Sequence, residues 1–269
     1  MSRTSTLVAG VLGAAGAQLA HQVLTARVSS ARWQRTNHAG DPVTLLEGPA
    51  YVAGAALGAA AGGPAGVVAT LGSGAFGALD DLAGDGASKG LRGHLGAAAR
   101  GRVTTGLVKI VGIGATGLVA AALADRARKD VRALDTLVGG AVVAGAANLA
   151  NLLDLRPGRA LKATVIAAAP LLVAPSRPGS TAAAAAAGAA LGVLAPDLAG
   201  RAMLGDTGAN AAGALVGTAL VARTGRRGRV AALVALAALT LASEKVSFTR
   251  VIESTPGLRE LDAWGRPAR

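Results

Sequence analysis

A glycine-rich stretch from Leu79 to Gly106 brings together residue types that phosphate chemistry uses. It begins with adjacent carboxylates, Asp80 and Asp81, directly after a run from Gly48 to Leu79 that has no charged side chain. Two neighbouring carboxylates repel each other unless a cation, a shared proton or water stabilises them. Mg²⁺ suits such hard oxygen donors, because it binds one or two carboxylates together with waters and substrate phosphates. Basic side chains that could contact a phosphate follow at Lys89, Arg92 and His94.

A simpler explanation fits the same residues. A solvated loop whose acids and bases cap two helices would also concentrate charge here, since charges are common at helix ends. The residues of this stretch leave both interpretations open.

The composition indicates the class of protein. Of the 269 residues, 52% are hydrophobic, 16% are charged and 2% are aromatic. A membrane-spanning helix needs about 20 mainly apolar residues, and flanking Arg and Lys side chains can extend a shorter one. Because charge-free runs recur along the whole chain, we expect an integral membrane protein rather than a soluble, alanine-rich helical protein. These runs are 4–26, 48–79, 110–124, 136–153, 163–176, 178–196, 207–222 and 230–243.

The runs predict an all-α, polytopic helical bundle of about nine transmembrane helices, with cytoplasmic loops that form the site. We expect one membrane domain over residues 1–269, with 244–269 as a cytoplasmic tail on the surface, and a retained first span rather than a signal peptide. The Gly62-Gly63-Pro64 turn predicts two short helices within 48–79. That hairpin would return Asp80 to the side of the 27–47 loop, whereas one tilted helix would separate them.

A second group of polar residues closes the apolar run that ends at Leu153. Asn148, Asn151 and Asp154 are spaced so that a helix places them along one slowly drifting face. Asn and Asp are costly in or near a membrane without partners, which favours a functional role. The alternative is hydrogen bonding between helices, which Asn commonly provides in bundles.

A third acid, Asp206, lies in the segment Gly205-Asp-Thr-Gly208, where a loop is expected to meet a helix. An acid at this position could bind a ligand. It could equally be a helix N-cap.

The formal net charge of +12 does not indicate a nucleic-acid partner. The basic residues are scattered between apolar runs, and few aromatic residues are present to stack on bases. Basic residues at span ends are better explained by lipid headgroups and the positive-inside rule. The chain has no cysteine, which excludes disulfides, thiolate metal sites and a cysteine nucleophile.

Three elements carry a resemblance to a known family. Asp80-Asp81 followed by Lys89, the Asn148-x-x-Asn151-Leu-x-Asp154 pattern, and Met203-Leu-Gly-Asp-Thr-Gly208 stand in the order and spacing typical of one group of membrane enzymes. The chain resembles the polyprenyl-phosphate N-acetylhexosamine-1-phosphate transferases over about residues 35–208. That family includes the phospho-N-acetylmuramoyl-pentapeptide transferase and GlcNAc-1-phosphate transferases.

The resemblance implies Mg²⁺-dependent transfer of a sugar 1-phosphate from a UDP-sugar to a polyprenyl phosphate in cell-envelope glycan synthesis. It implies catalytic roles for Asp80 and Asp81. The metal ligands it implies are Asp206, Asp81 and Asn151. The implied substrate-binding residues are Lys89, Arg92, His94, Asn148, Asn151 and Asp154.

The chain departs from the family pattern in two places. The family usually continues its Asn-Leu-x-Asp motif with Gly-Leu-Asp-Gly, where this chain has Leu155-Arg-Pro-Gly158. The family's His-rich loop motif has no counterpart. An alternative is therefore a member without activity that binds lipid phosphate or acts in assembly, and a homodimer stays open.

The charge distribution favours a site on the cytoplasmic face of the cell membrane. Most Lys and Arg residues, and most acids, fall on the side of Asp80, Asp154 and Asp206. The basic turn 223–229 falls on the other side, so the bias is modest. A transporter would distribute polar residues through its spans, whereas here they cluster at one end.

Overall fold

The computed structural model describes residues 2–37, 39–83, 96, 101 and 103–267. In this part of the chain the protein is helical, apart from one short β-hairpin, and eleven α-helices follow one another. They are α1 (Arg3–Arg27), α2 (Glu47–Ala60), α3 (Pro64–Ala83), α4 (Thr105–Asp125), α5 (Ala133–Leu153), α6 (Arg159–Leu172), α7 (Ser180–Leu198), α8 (Gly205–Arg223), α9 (Arg226–Ser243), α10 (Phe248–Ser254) and α11 (Leu258–Ala263).

The all-helical prediction is confirmed, and membrane association is supported in a coarser form than expected. Four described helices, α1, α4, α5 and α7, are long and apolar enough to cross a membrane. A fifth span is added if α9 and α10, which meet at a bend of 94°, count as one. Helices α2 and α6 have 14 residues each, so they are about 21 Å long, short of the hydrocarbon thickness.

Helix α8 is the centre of the bundle. Alanines and glycines make up most of its sequence, and 14 of its 19 residues are buried. One side packs on α2, α6 and α7 through residues such as Ala211 and Leu215. Another side packs on α3, α4 and α5 through Ala214 and Val221. The segment Gly205-Asp-Thr-Gly208 is the first turn of this helix, so the packing of the whole bundle fixes its position.

The expected turn at Gly62-Gly63-Pro64 separates α2 from α3. The 27–47 loop lies at the same end of the bundle as Asp80, because the Arg35 guanidinium donates a hydrogen bond to the Asp81 carbonyl oxygen. This loop contains a β-hairpin, which the sequence analysis did not predict. Its strands are β1 (Gln34–Thr36) and β2 (Pro42–Thr44).

The hairpin is joined to the segment before α8. The Thr44 amide donates to the Arg201 carbonyl at 3.2 Å, and the Met203 amide donates to the Thr44 carbonyl at 3.1 Å. The hairpin is thereby held beside the segment that leads into Gly205-Asp-Thr-Gly208.

Candidate functional site

Asp81 closes the N-terminal end of α8 from a different helix. Its Oδ1 accepts a hydrogen bond from the Asp206 amide at 3.0 Å, and its Oδ2 accepts from the Thr207 amide at 2.8 Å and the Thr207 hydroxyl at 2.6 Å. The first amides of a helix lack partners within the helix and attract negative charge. Asp81 is therefore a helix cap supplied by α3, and both of its oxygens are used.

A glycine one turn earlier allows this approach. A Cβ atom at Gly77 would lie 2.2 Å from the Asp206 carbonyl oxygen, far inside van der Waals contact. Only a residue without a side chain lets α3 lie this close to the start of α8. At that start Gly205 has φ +59°, a conformation that glycine adopts readily.

Asp80 and Asp206 face each other across one cation. The Lys109 Nζ atom of α4 lies 2.6 Å from Asp80 Oδ2 and 2.5 Å from Asp206 Oδ2. The three side chains are between 17% and 23% exposed, so the cluster is reachable from solvent but largely desolvated. Asp206 does not act as an N-cap through its own side chain, because the helix start is capped by Asp81 instead.

The polar face at the end of α5 divides between two cavities. Asn148 and Asn151 line a cavity of about 440 Å³ that Lys109 also lines. The Asn148 amide donates to the Thr240 hydroxyl of α9 at 3.1 Å, so the hydrogen bond between helices that we considered as the alternative is present. Asp154 instead lines a cavity of about 210 Å³ on the side of the hairpin.

Two further buried acids accompany Asp154, and the sequence analysis missed both. Glu47 is 0% exposed and Asp197 is 2% exposed. Both Glu47 oxygens and Asp197 Oδ2 have no hydrogen-bond donor within the described residues. Burial, and next the negative charge of Asp197, raise the pKa of Asp154 well above its usual range. The sequence offered one signal for Asp197, because it is the single acid within the long, weakly charged segment that follows Arg177.

The segment Leu155–Gly158, which departs from the family pattern, contributes Leu155, Arg156 and Pro157 to the wall of the smaller cavity and is held by two contacts. Asp197 Oδ1 accepts a hydrogen bond from the Gly158 amide at 2.8 Å. Arg266 of the C-terminal tail donates to the Pro157 carbonyl at 2.8 Å. The segment is therefore an ordered wall of the cavity.

Buried charged side chains anchor the C-terminal tail. The sequence analysis expected this tail to lie on the surface and did not predict these contacts. The Arg159 guanidinium pairs with both Asp262 oxygens at 2.8 and 2.9 Å. The Lys162 ammonium contacts three tail carbonyls, including that of Trp264 at 3.1 Å. Burial alone would raise the pKa of Asp262, but hydrogen bonds and charge from Arg159 and the charge of Arg266 lower it overall.

Not every expected site residue can be placed. Lys89, Arg92 and His94 lie outside the described residues, so their assignment to the substrate stays a prediction. The geometry adds Lys109 and Thr207 to the site. Lys109 could have been noticed as a lone cation at the start of an apolar run.

A divalent cation would find two carboxylates at one point. Among the described residues, no group of three or more Asp, Glu or His side chains could hold a metal ion. Mg²⁺ needs fewer protein ligands, because it retains waters and shares substrate phosphates. The Oδ2 atoms of Asp80 and Asp206, which already converge on one ammonium, fit this requirement. The assignment of Asp81 and Asn151 as ligands stays a prediction.

Comparison with known proteins gives no assignment from similarity, since no family model matches the chain and no curated protein matches it.

Proposed function

We propose that the protein transfers a sugar 1-phosphate from a UDP-sugar to a polyprenyl phosphate at the cytoplasmic face of the cell membrane. One observation carries the proposal. Asp80, Lys109 and Asp206, from three different helices, meet at the start of the central helix. Phosphoryl transfer depends mainly on positioning and on neutralising phosphate charge, which such a group can do.

The larger cavity suits the lipid substrate. Its wall combines apolar side chains, among them Ile110 and Ile113, with the Lys109 ammonium and the amides of Asn148 and Asn151. A lipid phosphate would be attracted by the ammonium, while the first isoprene units would follow the apolar wall. A cavity whose wall combines charged groups, Lys109 and Glu244, with apolar side chains fits an amphiphile better than an entirely polar ligand.

The smaller cavity suits the nucleoside. It lies beneath the hairpin and presents Asn37, Asp154 and Arg156, together with the apolar side chains of Val43 and Met203. Mixed polar and apolar walls of this kind are typical of small-molecule sites, although the volume is small. Met203 lies three residues before Asp206, so this cavity adjoins the carboxylates.

The reaction we propose is a displacement at the β-phosphorus of the UDP-sugar. An oxygen of the lipid phosphate forms a bond to that phosphorus, and the bond from the phosphorus to the oxygen bridging the two phosphates breaks. UMP leaves with the bridging oxygen. Lys109 would hold the lipid phosphate in the adjoining cavity that its side chain lines. Mg²⁺, held by Asp80 and Asp206, would supply charge neutralisation of the pyrophosphate.

The topology we propose has about nine spans. Helices α2, α3, α6 and α8 would each cross the membrane, in addition to α1, α4, α5, α7 and the bent pair of α9 and α10. Short helices can cross where flanking basic side chains extend them or where the bilayer thins. The buried, small-residue sequence of α8 supports its place inside a bundle, where lipid contact is not required.

A second candidate is a member of this class that has lost catalysis and binds lipid phosphate. The observation that favours it is the Leu155–Gly158 segment, which the C-terminal tail holds in a defined conformation without the family's acidic residue. Both candidates use the same lipid cavity, so binding of lipid alone does not separate them.

The separating experiment is an assay of purified protein with polyprenyl phosphate, Mg²⁺ and a panel of UDP-sugars. Formation of a lipid-linked sugar phosphate together with UMP supports the transferase. Saturable binding of polyprenyl phosphate without any product supports the second candidate. Absence of both product and binding would refute the two candidates together.

A further inference from the structure

Lys109 occupies the point at which the two carboxylates converge. Its Nζ atom lies 2.6 Å from Asp80 Oδ2 and 2.5 Å from Asp206 Oδ2. Metal–oxygen distances for hard divalent cations are about 2.0–2.6 Å. A divalent cation bound to both Oδ2 atoms would therefore stand where the ammonium now stands, and the two cations cannot share the position.

We propose that the Lys109 ammonium and a divalent cation compete for the Asp80–Asp206 pair, and that binding of the metal releases Lys109 into the adjoining cavity. The inference rests on the proposed function, which supplies the reason for a metal at this place. It goes further by assigning Lys109 two positions, one for each state of the site.

The structure provides both positions. In the first, the ammonium compensates two carboxylates that would otherwise repel each other in a largely desolvated cluster. In the second, Lys109 can swing into the cavity of about 440 Å³ that its side chain already lines, where Asn151, Asn210 and Glu244 offer acceptor oxygens. The lysine stem has four flexible carbon atoms, so this change needs no movement of the backbone.

The arrangement of Asp81 explains why the exchange would be local. Asp81 holds the start of α8 through three hydrogen bonds that do not involve Lys109. The carboxylates of Asp80 and Asp206 therefore keep their places when the ammonium leaves. Released into the lipid cavity, the ammonium would meet the lipid phosphate only after the metal has bound, which couples the two binding steps.

The competition can be measured by Mn²⁺ binding, followed by electron paramagnetic resonance of the free ion in purified protein. Lys109→Met removes the competing charge, so we expect Mn²⁺ to bind about tenfold or more tightly than to the wild type, on the usual scale of hydrogen bonds to charged groups. Lys129→Met, which changes an exposed lysine in the α4–α5 turn, should leave the affinity unchanged. Equal or weaker Mn²⁺ binding by Lys109→Met would overturn the proposal.

A second measurement uses the wild-type chain and does not depend on the folding of a variant. Reaction of lysines with an amine reagent, quantified by mass spectrometry, should increase at Lys109 when Mg²⁺ is added and should stay constant at Lys129. In Asp206→Asn, Lys109 should be more reactive without metal and respond less to it. Reactivity at Lys109 that Mg²⁺ does not change would contradict the release.

The outcome is independent of catalysis. Competition without transfer of sugar phosphate would remove the proposed function and keep the inference. Transfer by a protein whose Lys109→Met variant binds Mn²⁺ no more tightly would keep the function and remove the inference.

Discussion

Asp81 and Asp80 are neighbours with different roles, and substitution by asparagine should separate them. Asp81→Asn keeps one acceptor oxygen in place of two and removes the charge. In the wild type the Asp81 carboxylate accepts three hydrogen bonds, from the Asp206 amide and from the amide and hydroxyl of Thr207. With one oxygen, at least one of these donors must face the asparagine NH₂ group and lose its partner.

The cost can be worked out from these contacts. A buried donor without a partner costs about 1–3 kcal/mol, and loss of a negative charge at a helix N-terminus costs about 0.3–1 kcal/mol. We therefore expect Asp81→Asn to lower the free energy of unfolding by about 1–4 kcal/mol. Asp80→Asn leaves Lys109 paired with Asp206 and relieves repulsion between neighbouring carboxylates, so it should lower the free energy of unfolding by less than Asp81→Asn does.

The assay is thermal unfolding of the purified protein in detergent, with both variants compared at the same protein concentration. For chains of this size about 1 kcal/mol corresponds to about 2–4 °C, so Asp81→Asn should unfold several degrees below Asp80→Asn. Thr207→Val tests the same contact from the other side. Its effect should be smaller in the Asp81→Asn background than in the wild type, because the two residues share a hydrogen bond. Equal melting temperatures for the two asparagine variants would refute the cap.

Two further predictions concern packing and the tail. Gly77→Ala should reduce both stability and activity, because its Cβ would lie 2.2 Å from the Asp206 carbonyl oxygen. The control Gly114→Ala in α4 places its Cβ where no atom lies within 4 Å, so it should be neutral or stabilising by up to about 1 kcal/mol. A comparable loss of stability in both variants would contradict this prediction. The tail should stay docked at neutral pH and detach only in acid, below the ordinary pKa of an aspartate, because the lowered pKa of Asp262 gives stability that is lost as the carboxylate is protonated. A spin label on a cysteine introduced at Ser254 should become mobile in acid. In the Asp262→Asn variant the label should already be mobile at neutral pH. Unchanged mobility in both cases would show that the Arg159–Asp262 pair does not hold the tail.

Much of the fold could be predicted from the sequence, because apolar runs and their charged or glycine-containing ends define helices locally. The Gly62-Gly63-Pro64 turn and the helix beginning at Gly205 are of this kind. The hairpin of 34–44 was not predicted, since its strands have three residues each and are held partly by the segment before α8.

The site was predictable as a set of residues but not as a set of roles. The pairing of Asp81 with Thr207 crosses 126 positions of sequence, so no local pattern indicates a cap. In the sequence, Lys109 is a basic residue near a span end. Only the packing of α4 beside α3 and α8 places its ammonium between two acids. Glu47 and Asp197 are buried together by the bundle and have no spacing that would connect them.

Exchange of labelled UMP into UDP-sugars tests the central claim most directly, because it reports the reversible transfer step itself. Membranes should hold the wild type, Asp80→Asn, Asp206→Asn or the control Asp130→Asn, an exposed residue in the α4–α5 turn, at matched expression. In the wild type and the control we predict exchange that requires polyprenyl phosphate. In Asp80→Asn and Asp206→Asn the exchange rate should fall by about 10²–10⁴-fold, as expected when a residue that organises a metal or a proton is removed. Exchange that survives in both variants, or no exchange by the wild type with any UDP-sugar, would contradict the assignment of this site to sugar-phosphate transfer.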